Sequence, residues 1–117
     1  MPCLYGSLWL LKAKGLEGSL AWITDGRLSG TIRGAAIGHV SPEAAEGGPI
    51  GLLRDGDLIR IDIPQRKLDL LLPEKEMQAR RSQWQPPVPR VKRGFMALYS
   101  KIVSSAHEGA YLKTSTK

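Results

Sequence analysis

Apolar residues near the N-terminus recur at the spacing of a helix. Three leucines fall on one helical face because four and then three residues separate them: Leu4, Leu8 and Leu11. Gly15 is typical of the position just after a helix end, so the pattern predicts a helix from Leu4 to Lys14. The next apolar run, Leu20 to Thr24, predicts a short strand.

Turn residues and alternating apolar residues divide the middle of the chain. Ser41-Pro42-Glu43 places a hydroxyl, a proline and an acid in the order that begins a helix, whose dipole would account for Glu43, and Gly47-Gly48-Pro49 ends it. Gly51 to Leu72 predicts a three-stranded meander with turns at 54–57 and 64–66. Its alternating positions are Ile59, Ile61 and Ile63, then Leu68, Leu70 and Leu72.

The C-terminal part predicts two helices separated by an extended segment. Pro73-Glu74 begins a polar helix that ends near Ser82, and the prolines of WQPPVP, residues 84–89, prevent its continuation. A helical stripe with Gly109 at its end is predicted to pack on a core: Phe95, Leu98, Tyr99, Ile102 and Val103. Helices and a meander together predict an α+β fold.

Composition narrows the class of protein. The chain has 117 residues, enough for one domain, and 42% of them are hydrophobic without any run long enough to span a membrane. Basic Lys12 and Lys14 follow the apolar N-terminal stretch, the reverse of a signal peptide, so we expect a cytoplasmic protein. The single cysteine, Cys3, cannot form an intramolecular disulfide or, alone, a thiolate metal site, so no metal ligands are predicted in this chain.

Positive charge is concentrated towards the C-terminus. The net charge is +6, and residues 80–117 contain Glu108 as their one acid. No nucleic-acid-binding motif accompanies these cations. We therefore expect these cations to form a solvated face or a surface that meets an acidic partner domain. Nucleic-acid binding is ranked third among the hypotheses for the function of this chain.

The segment ITDGRLSGTIRG, residues 23–34, places polar side chains and glycines directly after the first predicted strand. Such a strand end commonly presents side chains at the rim of a site. Gly26, Gly30 and Gly34 would let the backbone turn and approach a ligand. Taken alone, however, a serine or threonine in such a turn usually bonds the local backbone.

Four segments in order resemble the C-terminal part of the dihydroxy-acid dehydratase family, which includes the sugar-acid dehydratases. They are ITDGRLSG (23–30), IGHVSPEAAEGGPI (37–50), RDGDLIRIDI (54–63) and YSKIVSSAHEGA (99–110). Gly38-His39 and VSSAHEGA are most similar to the branched-chain amino-acid enzyme, whereas Thr31 also suits a 6-phosphogluconate or pentonate dehydratase. The resemblance implies a small β-barrel-like domain flanked by short helices.

The resemblance also implies a chemistry: a lyase that removes water from a 2,3-dihydroxy carboxylate to give a 2-oxo acid. Family members use an iron–sulfur cluster, Mg²⁺ and a serine alkoxide that takes the C2 proton, and Ser29 matches that serine. Around it, we expect Arg27 to pair with a substrate carboxylate or a partner domain, and Asp25 to cap loop amides or orient Arg27. Thr31 would bind substrate or position the base, and His39 is interpreted as structural.

Family enzymes are several times longer, and their larger N-terminal domain holds the cluster cysteines and most Mg²⁺ ligands. Met1-Pro2 resembles the start of a family GMPE motif, with Cys3 where its metal-binding acid would stand. Residues 1–117 are therefore expected to be one C-terminal domain, inactive alone, whose partners are the N-terminal domain and a 2,3-dihydroxy acid. Without that domain, apolar surface around Leu28, Ile32 and the N-terminal helix would favour homo-oligomers. A sugar-acid dehydratase domain and a non-enzymatic interaction module remain the alternatives.

Overall fold

The computed structural model describes residues 5–16, 18–28 and 34–114. It consists of two compact units, residues 1–41 and 42–117, which are described separately as the N-terminal unit and the C-terminal unit. The expectation that residues 1–117 make one domain stays a prediction.

The N-terminal unit consists of one helix and a pair of parallel strands. Helix α1 (Tyr5–Ala13) is followed by Gly15 at φ +68°, which confirms the predicted helix and its end; Leu4 itself lies outside the described residues. Strand β1 (Ala21–Ile23) confirms the predicted strand. It pairs with β2 (Ala35–Ile37), with Trp22 opposite Ala36. Sequence patterning did not predict β2.

An antiparallel hairpin forms the sheet of the C-terminal unit. Strand β3 (Ile59–Asp62) pairs with β4 (Lys67–Leu70), so that alternating apolar positions meet as Ile59 with Leu70 and Ile61 with Leu68. The predicted first strand of the meander is wrong, because Pro49–Leu52 is a 3₁₀ helix. Proline lacks the N–H that a sheet ladder requires, and here it begins the helical turn instead. Ile63 belongs to the turn after β3 and is 75% exposed.

The helix predicted after Ser41-Pro42-Glu43 is a single 3₁₀ turn, Ala44–Glu46, with Glu43 rather than Ser41 at its N-cap. Gly47 ends it at φ +76°, as predicted. Gly48 lies so close to the preceding chain that a Cβ atom there would stand 1.8 Å from the Pro42 carbonyl oxygen. Because the chain folds back on itself at Gly48, two short 3₁₀ turns, Ala44–Glu46 and Pro49–Leu52, form in place of the expected helix.

The remaining elements follow the predicted order. Helix α2 (Glu74–Gln83) is the expected polar helix, and residues 84–89 leave it without regular structure. Helix α3 (Phe95–Ile102) is the expected amphipathic helix. None of its residues is fully buried: Tyr99 and Ile102 are half-buried, whereas Phe95 and Leu98 are exposed, so its predicted packing on a core is only partial in the described chain. Gly109, at φ +106°, ends a separate 3₁₀ helix, Ala106–Glu108, rather than α3.

Helices and small sheets confirm the α+β class. Within the described ranges each sheet has two strands and neither closes into a barrel, so the barrel-like arrangement is not confirmed. Leu52 is the one buried hydrophobic side chain of the described residues. Apolar surface is therefore left largely uncovered, as at Trp9 and Phe95, which are 61% and 70% exposed.

Candidate functional site

The carboxyl ends of β1 and β2 hold the first residues of the glycine-rich loop in place. The Thr24 amide donates to the Ile37 carbonyl oxygen at 3.0 Å, and the Val40 amide donates to that of Thr24 at 3.1 Å. Two residues after Thr24, the Gly26 carbonyl oxygen accepts a hydrogen bond from the His39 amide at 3.0 Å. Backbone pairing therefore continues beyond both strands and anchors the loop on segment 38–40.

A side-chain cap shapes the start of this loop. The Thr24 hydroxyl accepts a hydrogen bond from the Gly26 amide at 3.0 Å, a local turn that threonine forms readily. Thr24 ends the predicted strand and lies within segment 23–34, but it is not among the predicted site residues. Its position two residues before a glycine, directly after a strand, is the signal that could have found it.

A shallow depression of about 410 Å³ adjoins the loop, and its lining residues are Leu28, Gly34, Ala36, Gly38 and His39. Gly38 permits this arrangement, because a Cβ atom there would lie 3.3 Å from Leu28 Cγ and 3.5 Å from the Gly26 carbonyl oxygen. His39 has a left-handed backbone at φ +55°, which is uncommon for a residue other than glycine. The backbone of His39 thus pairs with Gly26 beyond the end of β2, and its exposed side chain borders the depression.

The predicted site residues are only partly covered by the structure. Gly26 and His39 are brought together through their backbones, Asp25 is half-buried and Arg27 is exposed. The hydrogen bond to the Gly26 oxygen is donated by the backbone of His39, so the structural role of its side chain stays a prediction. Ser29, Gly30 and Thr31 lie outside the described residues, so their roles stay predictions.

A second polar cluster lies within the C-terminal unit and was missed by sequence reasoning. The Glu43 carboxylate accepts hydrogen bonds from the Ser105 hydroxyl at 2.6 Å and from the Ala106 amide at 2.9 Å. His107 Nδ1 lies 2.8 Å from the same hydroxyl oxygen. The Ser105 hydrogen bond, followed by that of the Ala106 amide, holds the pKa of Glu43 below its usual range. Attributing Glu43 to a helix dipole was therefore wrong, since its partners are remote in sequence.

Arg80 forms the third cluster, also within the C-terminal unit. Its buried guanidinium donates to both Asp57 carboxylate oxygens, to Glu76 Oε1 at 2.7 Å and to the Leu52 carbonyl oxygen at 3.0 Å. The hydrogen bonds to Asp57, and next those to Glu76, raise the pKa of Arg80, and Arg80 is also the main cause of a lowered pKa at Asp57. With the Nε–H donating to Glu76 Oε1 as well, all five guanidinium N–H groups are used within the protein, so this cluster ties α2 to segment 52–57 and leaves no Arg80 donor free for a ligand.

Within the described ranges, no group of three or more His, Cys, Asp or Glu side chains is placed to hold a metal ion. Nor does any described helix combine the length and the apolar character needed to cross a bilayer.

Comparison with known proteins relates nearly the whole chain, including the glycine-rich loop after β1, to a family of proteins. The model of the family described as dihydroxy-acid/6-phosphogluconate dehydratase C-terminal matches residues 1–110. The chain is 59% identical over 100 residues to a dihydroxy-acid dehydratase of Trichlorobacter lovleyi and 60% identical over 99 residues to one of Oleidesulfovibrio alaskensis. These matches cover 86% and 85% of the chain but 18% of each relative, so the chain spans less than a fifth of their length.

Proposed function

The chain belongs to the C-terminal family of dihydroxy-acid and 6-phosphogluconate dehydratases, and on that premise we propose that it is the catalytic-serine domain of a dihydroxy-acid dehydratase. The longer enzyme would remove the C2 proton and the C3 hydroxyl of a 2,3-dihydroxy carboxylate as water. The resulting enol becomes a 2-oxo acid. The observation that carries the proposal is the 59% identity to a protein named dihydroxy-acid dehydratase across 86% of this chain.

Within this proposal, Ser29 accepts the C2 proton. Arg27, two residues earlier and exposed, is suited to a substrate carboxylate, because a guanidinium can donate two parallel hydrogen bonds to it. The backbone pairing of Gly26 with His39 supports these roles, since a loop anchored at its start can position its later residues reproducibly. Gly26 and Gly30 are assigned to loop positioning, and Thr31 to substrate binding or orientation of the base.

The described residues do not fit the cofactors that the family implies. An iron–sulfur cluster needs several thiolates, the chain has one cysteine, and no cluster of metal-ligating side chains occurs among the described residues. We therefore assign the cluster and Mg²⁺ to the remainder of a longer protein, and no step above is routed through them. The 117-residue chain alone is accordingly proposed to be inactive. The barrel-like architecture is likewise proposed for the domain within the longer enzyme.

The test is a chimera in which this chain replaces the matching part of the Trichlorobacter lovleyi enzyme. We expect the chimera to dehydrate a branched 2,3-dihydroxy acid and the isolated chain to show no turnover. Ser29→Ala should lower kcat about 1,000-fold, the scale of a lost proton-transfer group. The matched control is Ser19→Ala, which removes an exposed hydroxyl bonded to the Leu16 carbonyl oxygen and should leave kcat unchanged.

Two results would contradict this assignment. If Ser29→Ala in an active chimera kept kcat within about threefold of the parent, Ser29 would not be the base. If the chimera preferred 6-phosphogluconate by kcat/KM, the sugar-acid alternative, which the family description includes, would replace the branched substrate.

A further inference from the structure

The depression beside the glycine-rich loop has a chemistry that distinguishes one class of substrate from another. Among its described lining residues, Leu28 and Ala36 present half-buried apolar side chains and His39 an exposed imidazole, while Gly34 and Gly38 contribute backbone alone. None of these lining residues is a Lys, Arg, Asp or Glu. Such a lining is suited to an alkyl group, because a phosphate or a row of hydroxyls needs cationic or hydrogen-bonding side chains when it leaves water.

The same depression adjoins the residue proposed to accept the C2 proton. Leu28 directly precedes Ser29, and the Cα atoms of consecutive residues in any chain are separated by about 3.8 Å at most. In a 2,3-dihydroxy acid, C3 and its alkyl groups are bonded next to C2 and so stay close to the base. The volume of the depression, about 410 Å³, lies at the lower end of the range of roughly 300–1,000 Å³ for small-molecule sites, which fits a small acid.

Two side chains determine how large a group the depression can hold. A Cβ atom at Gly38 would lie 3.3 Å from Leu28 Cγ and 3.4 Å from Leu28 Cδ1, so Leu28 already rests against the backbone of residue 38. Ala36 lies on β2, where neighbouring residues project to opposite faces, and it lines the depression whereas exposed Ala35 does not. A larger side chain at position 36 would therefore fill the depression, and a smaller one at position 28 would enlarge it.

From these observations we propose that the depression receives the alkyl branch at C3 of the substrate, and that Leu28 and Ala36 set the size of the branch that is accepted. This inference rests on the proposed function and deepens it, because it selects a branched 2,3-dihydroxy acid over a sugar acid from the chemistry of the described residues. A phosphate in the depression would meet His39 as the one titratable side chain among the described lining residues. Leu28 and Ala36 are thus specificity-determining residues.

The test compares two substrates of the Trichlorobacter lovleyi chimera that differ by one methylene: 2,3-dihydroxy-3-methylbutanoate and its homologue with an ethyl group at C3. Ala36→Leu should lower kcat/KM for the ethyl-bearing acid at least about tenfold relative to that for the methyl-bearing acid, the scale of one methylene in an apolar pocket. Leu28→Ala should shift the same ratio in favour of the ethyl-bearing acid. Ala35→Leu, the matched control, adds the same side chain on the other face of β2 and should leave the ratio unchanged.

In an active chimera, a ratio within about twofold of the parent for Ala36→Leu, or an equal change in Ala35→Leu, overturns the proposal while the function stands. If Ala36→Leu abolishes turnover of both acids, an unchanged ratio in Leu28→Ala has the same consequence.

An inactive chimera contradicts the proposed function, and the depression is then tested by binding. In a chimera with labelled alanine and leucine methyl groups, 3-methyl-2-oxobutanoate should shift the NMR signals of Leu28 and Ala36 but not that of Ala35. Unshifted signals of Leu28 and Ala36 would overturn the proposal.

Discussion

The Glu43 carboxylate stabilises the folded chain through hydrogen bonds to residues outside its own short 3₁₀ turn. Its pKa is lowered from the usual 4.5, first by the Ser105 hydroxyl and next by the Ala106 amide. A lowered pKa means that the folded state binds the proton less tightly than the unfolded state. The stabilisation is therefore present above pH 4.5 and is lost as the pH falls through the folded-state pKa.

We predict that Glu43→Gln lowers the free energy of unfolding at pH 7 by about 1 kcal/mol, a value reduced for partial solvent exposure. Urea unfolding of the 117-residue chain from pH 7 down to pH 2 measures the effect. The difference between parent and variant should shrink below pH 4.5, because the parent's carboxylate is then protonated too. Glu46→Gln, an exposed neighbour, is the control; a pH-independent loss in Glu43→Gln would contradict the assigned role of charge.

At the scale of elements, the two 3₁₀ turns pack only because Gly48 has no side chain. Gly48→Ala would place Cβ 1.8 Å from a backbone oxygen, which cannot move aside as a flexible side chain can. We predict a loss of about 3 kcal/mol or more in the free energy of unfolding, measured by chemical denaturation. Gly18→Ala, whose added methyl carbon would have no atom of the described residues within 4 Å, should change stability by less than about 0.5 kcal/mol. Equal stability of both variants would show that this close approach does not occur.

Elements with local signals were predictable from the sequence, and those with remote partners were not. Helix α1, helix α2 and the β3–β4 hairpin follow from periodicity, caps and turn residues, all of which act over a few positions. Strand β2 has only three residues and owes its pairing to β1, which is distant in sequence. The extra strand predicted near Gly51 failed because alternation alone cannot reveal that Pro49 starts a helical turn.

The candidate site likewise combines features that the sequence predicts with contacts that it does not predict. Glycines and small polar residues after β1 indicated that the strand ends there, and residues 24–28 indeed belong to no helix or strand. This signal lies in consecutive residues of the sequence. Contact of Gly38 with Leu28, and the binding of Glu43 by Ser105, depend on segments that only the folded chain brings together. The role of Ser29 came from family resemblance and stays a prediction.

At the scale of the whole molecule, exposed apolar side chains predict self-association of the isolated chain. Trp9 and Leu10 on α1 are 61% and 56% exposed, and covering an indole ring is strongly favourable in water. We expect light scattering to give a mass that rises above 12.8 kDa with concentration. A Trp9→Gln, Leu10→Gln double variant should associate about tenfold more weakly, equivalent to 1.4 kcal/mol.

Leu58→Gln provides the control for that experiment, since Leu58 is similarly exposed but lies in the C-terminal unit. If it weakened association as much as the double variant, α1 would not be the contact. A single mass of 12.8 kDa at every concentration would contradict self-association altogether.

The contact between Glu43 and Ser105 also sets an order of events during protein synthesis. The two residues are 62 positions apart, so the carboxylate emerges well before its partner has been made. At about 5–20 residues per second, a ribosome needs roughly 3–12 s to add that stretch. Throughout this interval the turn at Ala44–Glu46 lacks its distant partner, and the C-terminal unit can complete its fold only after Ser105 has been made. The hydrogen bond that anchors this turn therefore forms later than the contacts of the turn with its neighbours in sequence.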